Sequence, residues 1–90
     1  MYTIAIFDTM CPYEDRLSYH ADDDGCMYVY TTIEKARDAL SDAIDDMIPS
    51  GATRLFTHCN RADTISVGYE YDGHHYNCSA TIERCCLIVD

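Results

Sequence analysis

The alternation of apolar and polar residues predicts a strand at the start of the chain. In residues 2–8, Ile4 and Ile6 fall on one side, while Ala5 and Phe7 fall on the other, so both faces of this strand should be largely covered. A run of three aspartates and a glycine then predicts a turn that leads into a second strand at residues 26–30. The connection between the two strands is acidic and contains a proline, and we expect it to be exposed.

A helix is predicted between Thr31 and Ile48. Thr31 and Glu34 have the spacing of a capping box, in which the threonine oxygen and the glutamate each accept a backbone hydrogen bond at the first turn. Pro49 and Gly51 should end the helix near Ile48. Apolar residues recur every three or four positions and form one stripe that can lie on a sheet: Ile33, Ala36, Leu40, Ala43, Ile44 and Met47.

Three further strands are predicted at residues 54–59, 64–71 and 74–82. Asp72-Gly73 is the preferred pair for a two-residue type I′ hairpin, because both positions require positive φ. This turn fixes a register that separates an apolar from a polar face. The expected pairs are Tyr71 with His74, Tyr69 with Tyr76, Val67 with Cys78, Ile65 with Ala80, Glu70 with His75, and Ser66 with Ser79.

These elements predict a single α+β domain of order β-β-α-β-β-β. Its two layers would be a mostly antiparallel sheet of about five strands and one amphipathic helix packed on it. A chain of 90 residues is long enough for one core only. An extension of the last strand through Cys85–Val89 is possible, and as an apolar edge it could pair with a second copy, so a homodimer is one alternative.

The charge restricts the classes of partner. The chain carries 16 acidic and 6 basic residues, a net charge of −10, which disfavours direct binding to nucleic acid or to anionic lipid. With 48% apolar residues it should nevertheless fold. The charge is uneven, because residues 1–46 hold 11 acids and 3 bases, whereas residues 47–90 hold 5 acids and 3 bases.

Compartment and thiol chemistry follow from the N-terminus and the cysteines. The first residues lack a basic region and a long apolar run, so we expect a cytoplasmic protein without a membrane segment. In a reducing compartment the six cysteines should be thiols, most of them buried and structural. A nucleophilic Cys11 or Cys59 is disfavoured, because an acidic environment raises thiol pKa values. We therefore expect neither catalysis nor a cofactor.

Two segments contain possible metal ligands but also have structural explanations. The acidic segment His20–Gly25 has the wrong residues at the first and last ligand positions of an EF-hand loop, which favours a solvated turn. A transition-metal or thiol site stays open as a second hypothesis, although the usual zinc spacings are absent. Its candidate residues are His58, Cys59, His74, His75 and Cys78.

The acidic surface is the leading candidate for a binding site. On the helix, carboxylates four residues apart lie roughly 6 Å apart along the axis, with few bases to offset their repulsion. These residues are Glu34, Asp38, Asp42, Asp45 and Asp46. The long connection adds further acids and two tyrosines suited to interfaces, namely Tyr13, Glu14, Asp15, Tyr19, Asp22, Asp23 and Asp24. The plainer alternative is that the charge serves solubility or reflects composition.

In its size, its capped acidic helix and its acidic loop with tyrosines, the chain resembles the small inhibitors that phages and mobile elements encode. Anti-CRISPR proteins and other nucleic-acid mimics are the nearest type. The resemblance implies a stoichiometric, non-enzymatic inhibitor that acts in the cytoplasm of the host cell. It would occupy a site lined by Lys and Arg on a nucleic-acid-binding effector and block target binding by mimicry or steric obstruction.

Overall fold

A computed structural model describes residues 1–12, 14 and 16–84, the side chain of residue 59 excepted. It has a five-stranded antiparallel sheet and a single helix, so the predicted two-layer α+β class is confirmed. The elements are β1 (Tyr2–Asp8), β2 (Leu17–Tyr19), α1 (Ile33–Met47), β3 (Thr53–Asn60), β4 (Thr64–Tyr71) and β5 (His74–Arg84).

The strand order is β2-β1-β5-β4-β3, with every neighbouring pair antiparallel. The last strand is therefore central, because β1 pairs with it as far as Arg84 and β4 pairs with it on the other side. Up to that residue β5 offers no free edge to a second copy. The predicted extension at Cys85–Val89 lies outside the described residues.

The β4–β5 hairpin has the predicted register. Asp72 and Gly73 have φ values of 52° and 78°, as a type I′ turn requires. All six expected cross-strand pairs are present, from Tyr71 opposite His74 to Ile65 opposite Ala80. The cross-strand polar pair is also formed, with His75 Nε2 3.1 Å from Glu70 Oε2.

The prediction of a second strand at residues 26–30 is wrong. The segment forms only isolated bridges, Met27 with Ala21 and Tyr30 with Tyr2. Asp22 explains the first bridge, since its Oδ1 accepts from the backbone N–H groups of two following residues and turns the chain back tightly. The edge of β1 is instead occupied by the three residues of β2.

The helix begins one residue later than the predicted cap. Thr32, not Thr31, is the N-cap, and its Oγ1 accepts from the backbone N–H of Lys35 at 3.3 Å. Among the described residues Glu34 makes no hydrogen bond back to the cap. The predicted end is confirmed, because α1 stops at Met47 and Ile48 leaves the helix with an extended ψ of 121°.

The core lies between α1 and one face of the sheet. Ile4, Leu40 and Ile44 are 0–2% exposed and pack with the apolar face of the hairpin. Tyr69 is fully buried there, and its hydroxyl donates to Asp8 Oδ1 at 2.8 Å. Burial, together with this hydrogen bond, raises the pKa of the Tyr69 phenol well above its usual value. The apolar stripe read from the sequence therefore sets which side of α1 faces solvent.

The prediction that the opposite face of β1 is covered is confirmed near the start of the strand but is wrong for Phe7, which is 40% exposed. Thr3 and Ala5 are 3% and 7% exposed, and the Thr3 hydroxyl donates to the carbonyl oxygen of Tyr28. The expectation of buried cysteines holds for Cys78 but is wrong for Cys26, which is exposed in the turn after the aspartates.

Cys78 predicts a loss of stability at alkaline pH. Burial, with a smaller effect of Asp8, raises the pKa of its thiol from 9.0 to about 11. The unfolded thiol ionises first, so the free energy of unfolding should fall as pH rises from about 9 to about 11. Urea unfolding at intervals across this range should show a shallower fall for Cys78→Ala than for wild type. The exposed-thiol variant Cys26→Ser should follow wild type, and parallel losses in all three proteins would contradict the assignment.

Candidate acidic binding site

The packing of α1 places its acidic residues in solvent. Because Ala36, Leu40 and Ala43 are buried against the sheet, the carboxylates on the other side of the helix project outward. All five predicted helix carboxylates are exposed: Glu34, Asp38, Asp42, Asp45 and Asp46.

Contacts with other elements divide these five residues into two sets. Asp45 forms an ion pair with Arg54 of β3, and Asp46 Oδ2 lies 2.8 Å from His20 Nε2. Glu34, Asp38 and Asp42 have no ion pair within the described part of the chain, and we call them the acidic row. The row is the part of the predicted surface that is available to an outside cation.

Arg37, a base on the same helix, forms its ion pair outside the acidic row. Arg37 donates from Nε to Asp63 Oδ1 at 2.8 Å, and this hydrogen bond raises the pKa of its guanidinium. Asp63 lies in the connection between β3 and β4, so the charge of Arg37 is directed toward the sheet edge.

The acidic residues in the last turn of α1 lie at the end of the helix where carboxylates are least favourable. The last turn carries Asp45 and Asp46 and no basic residue. Because the C-terminal end of a helix is the negative pole of its dipole, each carboxylate there costs about 0.3–1 kcal/mol at exposed positions. Arg54 and His20 offset part of this cost from other elements. Helix stability therefore does not account for the placement of these acids.

A cleft opens between α1 and the segment that follows β2. It has a volume of about 390 Å³. One wall is formed by Asp42, Asp45 and Asp46 of α1, and the facing wall by His20, Tyr28 and Tyr30. These six residues and Ala39 line the cleft. Asp42 belongs to both the acidic row and the cleft, so the two form one continuous surface.

Aromatic rings and carboxylates are close together in the cleft. The ring centroids of His20 and Tyr28 are 4.8 Å apart, with planes tilted by 45°. Burial raises the pKa of Tyr30, and the neighbouring Tyr28, Asp42 and Asp46 raise it further. The phenol of Tyr30 thus stays protonated beside the carboxylates.

The structure divides the predicted residues of the long connection between two places. Asp22 is half-buried, and its carboxylate caps the turn that follows it. Asp23 and Asp24 are exposed. They follow His20 by three and four residues in the chain, and the His20 side chain contacts α1. Glu14 is exposed, and Tyr13 and Asp15 lie outside the described residues.

Tyr19 lies on the other side of the sheet from the acidic row. It pairs with Ala5 of β1 and therefore shares the face that points away from α1. Its hydroxyl donates to Glu83 Oε2 at 3.2 Å on that face. The predicted partner-binding residues do not all belong to one surface.

For the second hypothesis, a metal or thiol site, the side chain of the candidate Cys59 lies outside the described part of the chain, and three of the other candidates have separate contacts. His58 Nε2 is 2.8 Å from Asn77 Oδ1, His75 contacts Glu70, and Cys78 is buried in the core. Over residues 1–12, 14 and 16–84, no group of three or more histidine, cysteine, aspartate or glutamate side chains is arranged to hold a metal ion.

Sequence reasoning did not identify the aromatic wall of the cleft. The pattern at residues 26–30 predicts that Tyr28 and Tyr30 are strand residues, and the loop spacing identifies His20 only as an unsuitable calcium ligand. The dense tyrosine usage was a signal, since two of the eight tyrosines line the cleft. No local pattern indicates the contact between His20 and Asp46, which are 26 residues apart in the chain.

Comparisons with protein-family models, with curated proteins and with solved structures found no match to this chain. In the described part of the chain no helix has the length and apolar character needed to cross a membrane.

Proposed function

We propose that the protein is a non-enzymatic acidic binding protein that inhibits a basic, nucleic-acid-binding partner. The observation that carries the proposal is the acidic row, three exposed carboxylates held on a rigid helix without ion pairs among the described residues. Such a surface competes for a channel that normally holds a phosphate backbone. A phage-encoded anti-CRISPR or other anti-defence protein, acting by mimicry or steric block in the host cytoplasm, fits this description.

The energetics of the helix support a role for the charge in recognition. Like charges four residues apart destabilise an isolated helix by a few tenths of a kcal/mol per pair, and the acids of the last turn oppose the dipole. A basic partner can offset this loss of free energy, because complementary charge accelerates association and disfavours partners of like charge. The helix arrangement therefore favours binding over its own stability.

The proposal predicts that the protein and the target nucleic acid exclude each other on the partner. The probe is fluorescently labelled target DNA bound to guide-RNA-loaded CRISPR effectors, tested across several effector types by fluorescence anisotropy. We expect wild-type protein to release the DNA from at least one effector, at stoichiometric rather than catalytic ratios.

The state of the released effector distinguishes inhibition from catalysis. After the protein is removed in high salt, the effector should bind DNA as before, since no bond has been made or broken. A complex that holds the effector, the DNA and this protein together would contradict exclusion, as would full DNA binding by every effector tested.

A further inference from the structure

The cleft has the chemistry of a site for an organic cation. Its helix wall presents three carboxylates, Asp42, Asp45 and Asp46, and Asp42 has no ion pair within the described residues. Asp45 and Asp46 remain exposed despite their partners, with 61% and 67% of their side-chain surface accessible. The Arg54 guanidinium partly offsets this charge. A ligand for the cleft must therefore be positively charged.

His20 gives a second, independent indication that the cleft is incomplete without a ligand. The residue is 8% exposed, and its Nδ1 has no hydrogen-bond partner in the described part of the chain. Because Asp46 can only accept, Nε2 donates this hydrogen bond, and Nδ1 is left without a partner among the described residues. Buried polar atoms normally have one. The hydrogen bonding of the cleft is therefore incomplete at His20.

The opposite wall favours a planar cation over a compact ammonium. Tyr28 is 41% exposed beside the carboxylates, and Tyr30 is half-buried next to it. A guanidinium stacks on such rings while its forked N–H groups bind carboxylate oxygens in pairs, whereas an ammonium is a strongly hydrated point charge. The combination of tyrosine faces and carboxylates matches the guanidinium.

We infer that the cleft binds the guanidinium group of an arginine side chain presented by the partner. The inference rests on the proposed function, because it takes the partner surface to be basic, and it gives that surface one anchoring residue. The acidic row then attracts the other basic residues of the partner over a longer range. The cleft determines how the two surfaces are aligned in the complex. A buried arginine anchor at the centre of an interface is a common form of binding hot spot.

The test is an NMR titration of the ¹⁵N-labelled wild-type protein with N-acetyl-arginine amide. We expect amide shifts concentrated at residues 20, 28–30 and 42–46, and an affinity at least threefold higher than for N-acetyl-lysine amide. The neutral isostere N-acetyl-citrulline amide should produce no saturable shifts. Equal shifts with citrulline, or shifts spread evenly over all carboxylates, would overturn the inference.

Two variants test whether arginine binding depends on the cleft or only on the total negative charge of the protein. Asp42→Asn and Tyr28→Leu should each weaken arginine binding at least threefold, while Asp72→Asn, an exposed acid in the β4–β5 turn, should leave it unchanged. The spectra report folding in the same experiment. Undiminished binding in both cleft variants overturns the inference. If arginine is not bound but effectors are still inhibited, only the cleft inference fails; if arginine is bound and no effector is inhibited, only the proposed function fails.

Discussion

Replacing Leu40 with alanine is expected to lower the free energy of unfolding by about 2–5 kcal/mol. Leu40 is 2% exposed at the centre of the contact between α1 and the sheet. The substitution removes apolar contacts and leaves a cavity that the surrounding strands fill only in part. For a domain of this size the loss is a large share of the total stability. Urea unfolding followed by circular dichroism measures it.

The matched control is Ser41→Ala, one position along the same helix. Ser41 is exposed, so its replacement should change the free energy of unfolding by no more than about 0.5 kcal/mol. A loss below about 1 kcal/mol for Leu40→Ala would show that α1 is not held on the sheet as described. The acidic row would then lack the rigid support that the proposed function requires.

Neutralising the acidic row should weaken binding to an inhibited effector by at least about tenfold. In the variant Glu34→Gln/Asp38→Asn/Asp42→Asn, each lost charge pair removes about 0.2–1 kcal/mol of exposed ion-pair energy, and the losses combine with slower association. None of these three carboxylates has an ion pair in the described structure, so the variant should fold normally. Biolayer interferometry against the immobilised effector measures the dissociation constant and both rate constants.

A second triple variant controls for total charge. Glu70→Gln/Asp72→Asn/Glu83→Gln also removes three negative charges, but from the hairpin turn and the sheet face away from α1. The hydrogen bonds that it removes, to His75 and Tyr19, are exposed and contribute little to stability. Its affinity should stay within about twofold of wild type.

The sequence predicted those parts of the fold that depend on local periodicity and turn chemistry. Asp72-Gly73 determines the hairpin register because few residues tolerate two successive positive φ angles. The apolar stripe of α1 determines which residues are buried, and therefore which carboxylates are exposed. The exposed helix acids could be predicted because they depend only on the helical period.

The parts that depend on tertiary contacts could not be predicted. The β2 strand has three residues, which are too few for an alternation pattern. The longer alternating segment, residues 26–30, forms only isolated bridges and no strand. Two adjacent threonines made the cap ambiguous by one position. The pairing of Asp45 with Arg54, and of Asp46 with His20, joins separate elements and has no local signal. The distinction between the acidic row and the cleft therefore required the structure.

The most direct test of the central claim is the salt dependence of the association rate constant with an inhibited effector, measured for wild type and both triple variants. Exposed charges are screened over about 10 Å at 0.1 M salt and about 3 Å at 1 M. Wild type and the hairpin variant should show the same steep decrease with salt, while the acidic-row variant should start lower and decrease much less. Equal slopes for all three proteins, or no dependence on salt, would contradict the claim that the acidic row directs binding.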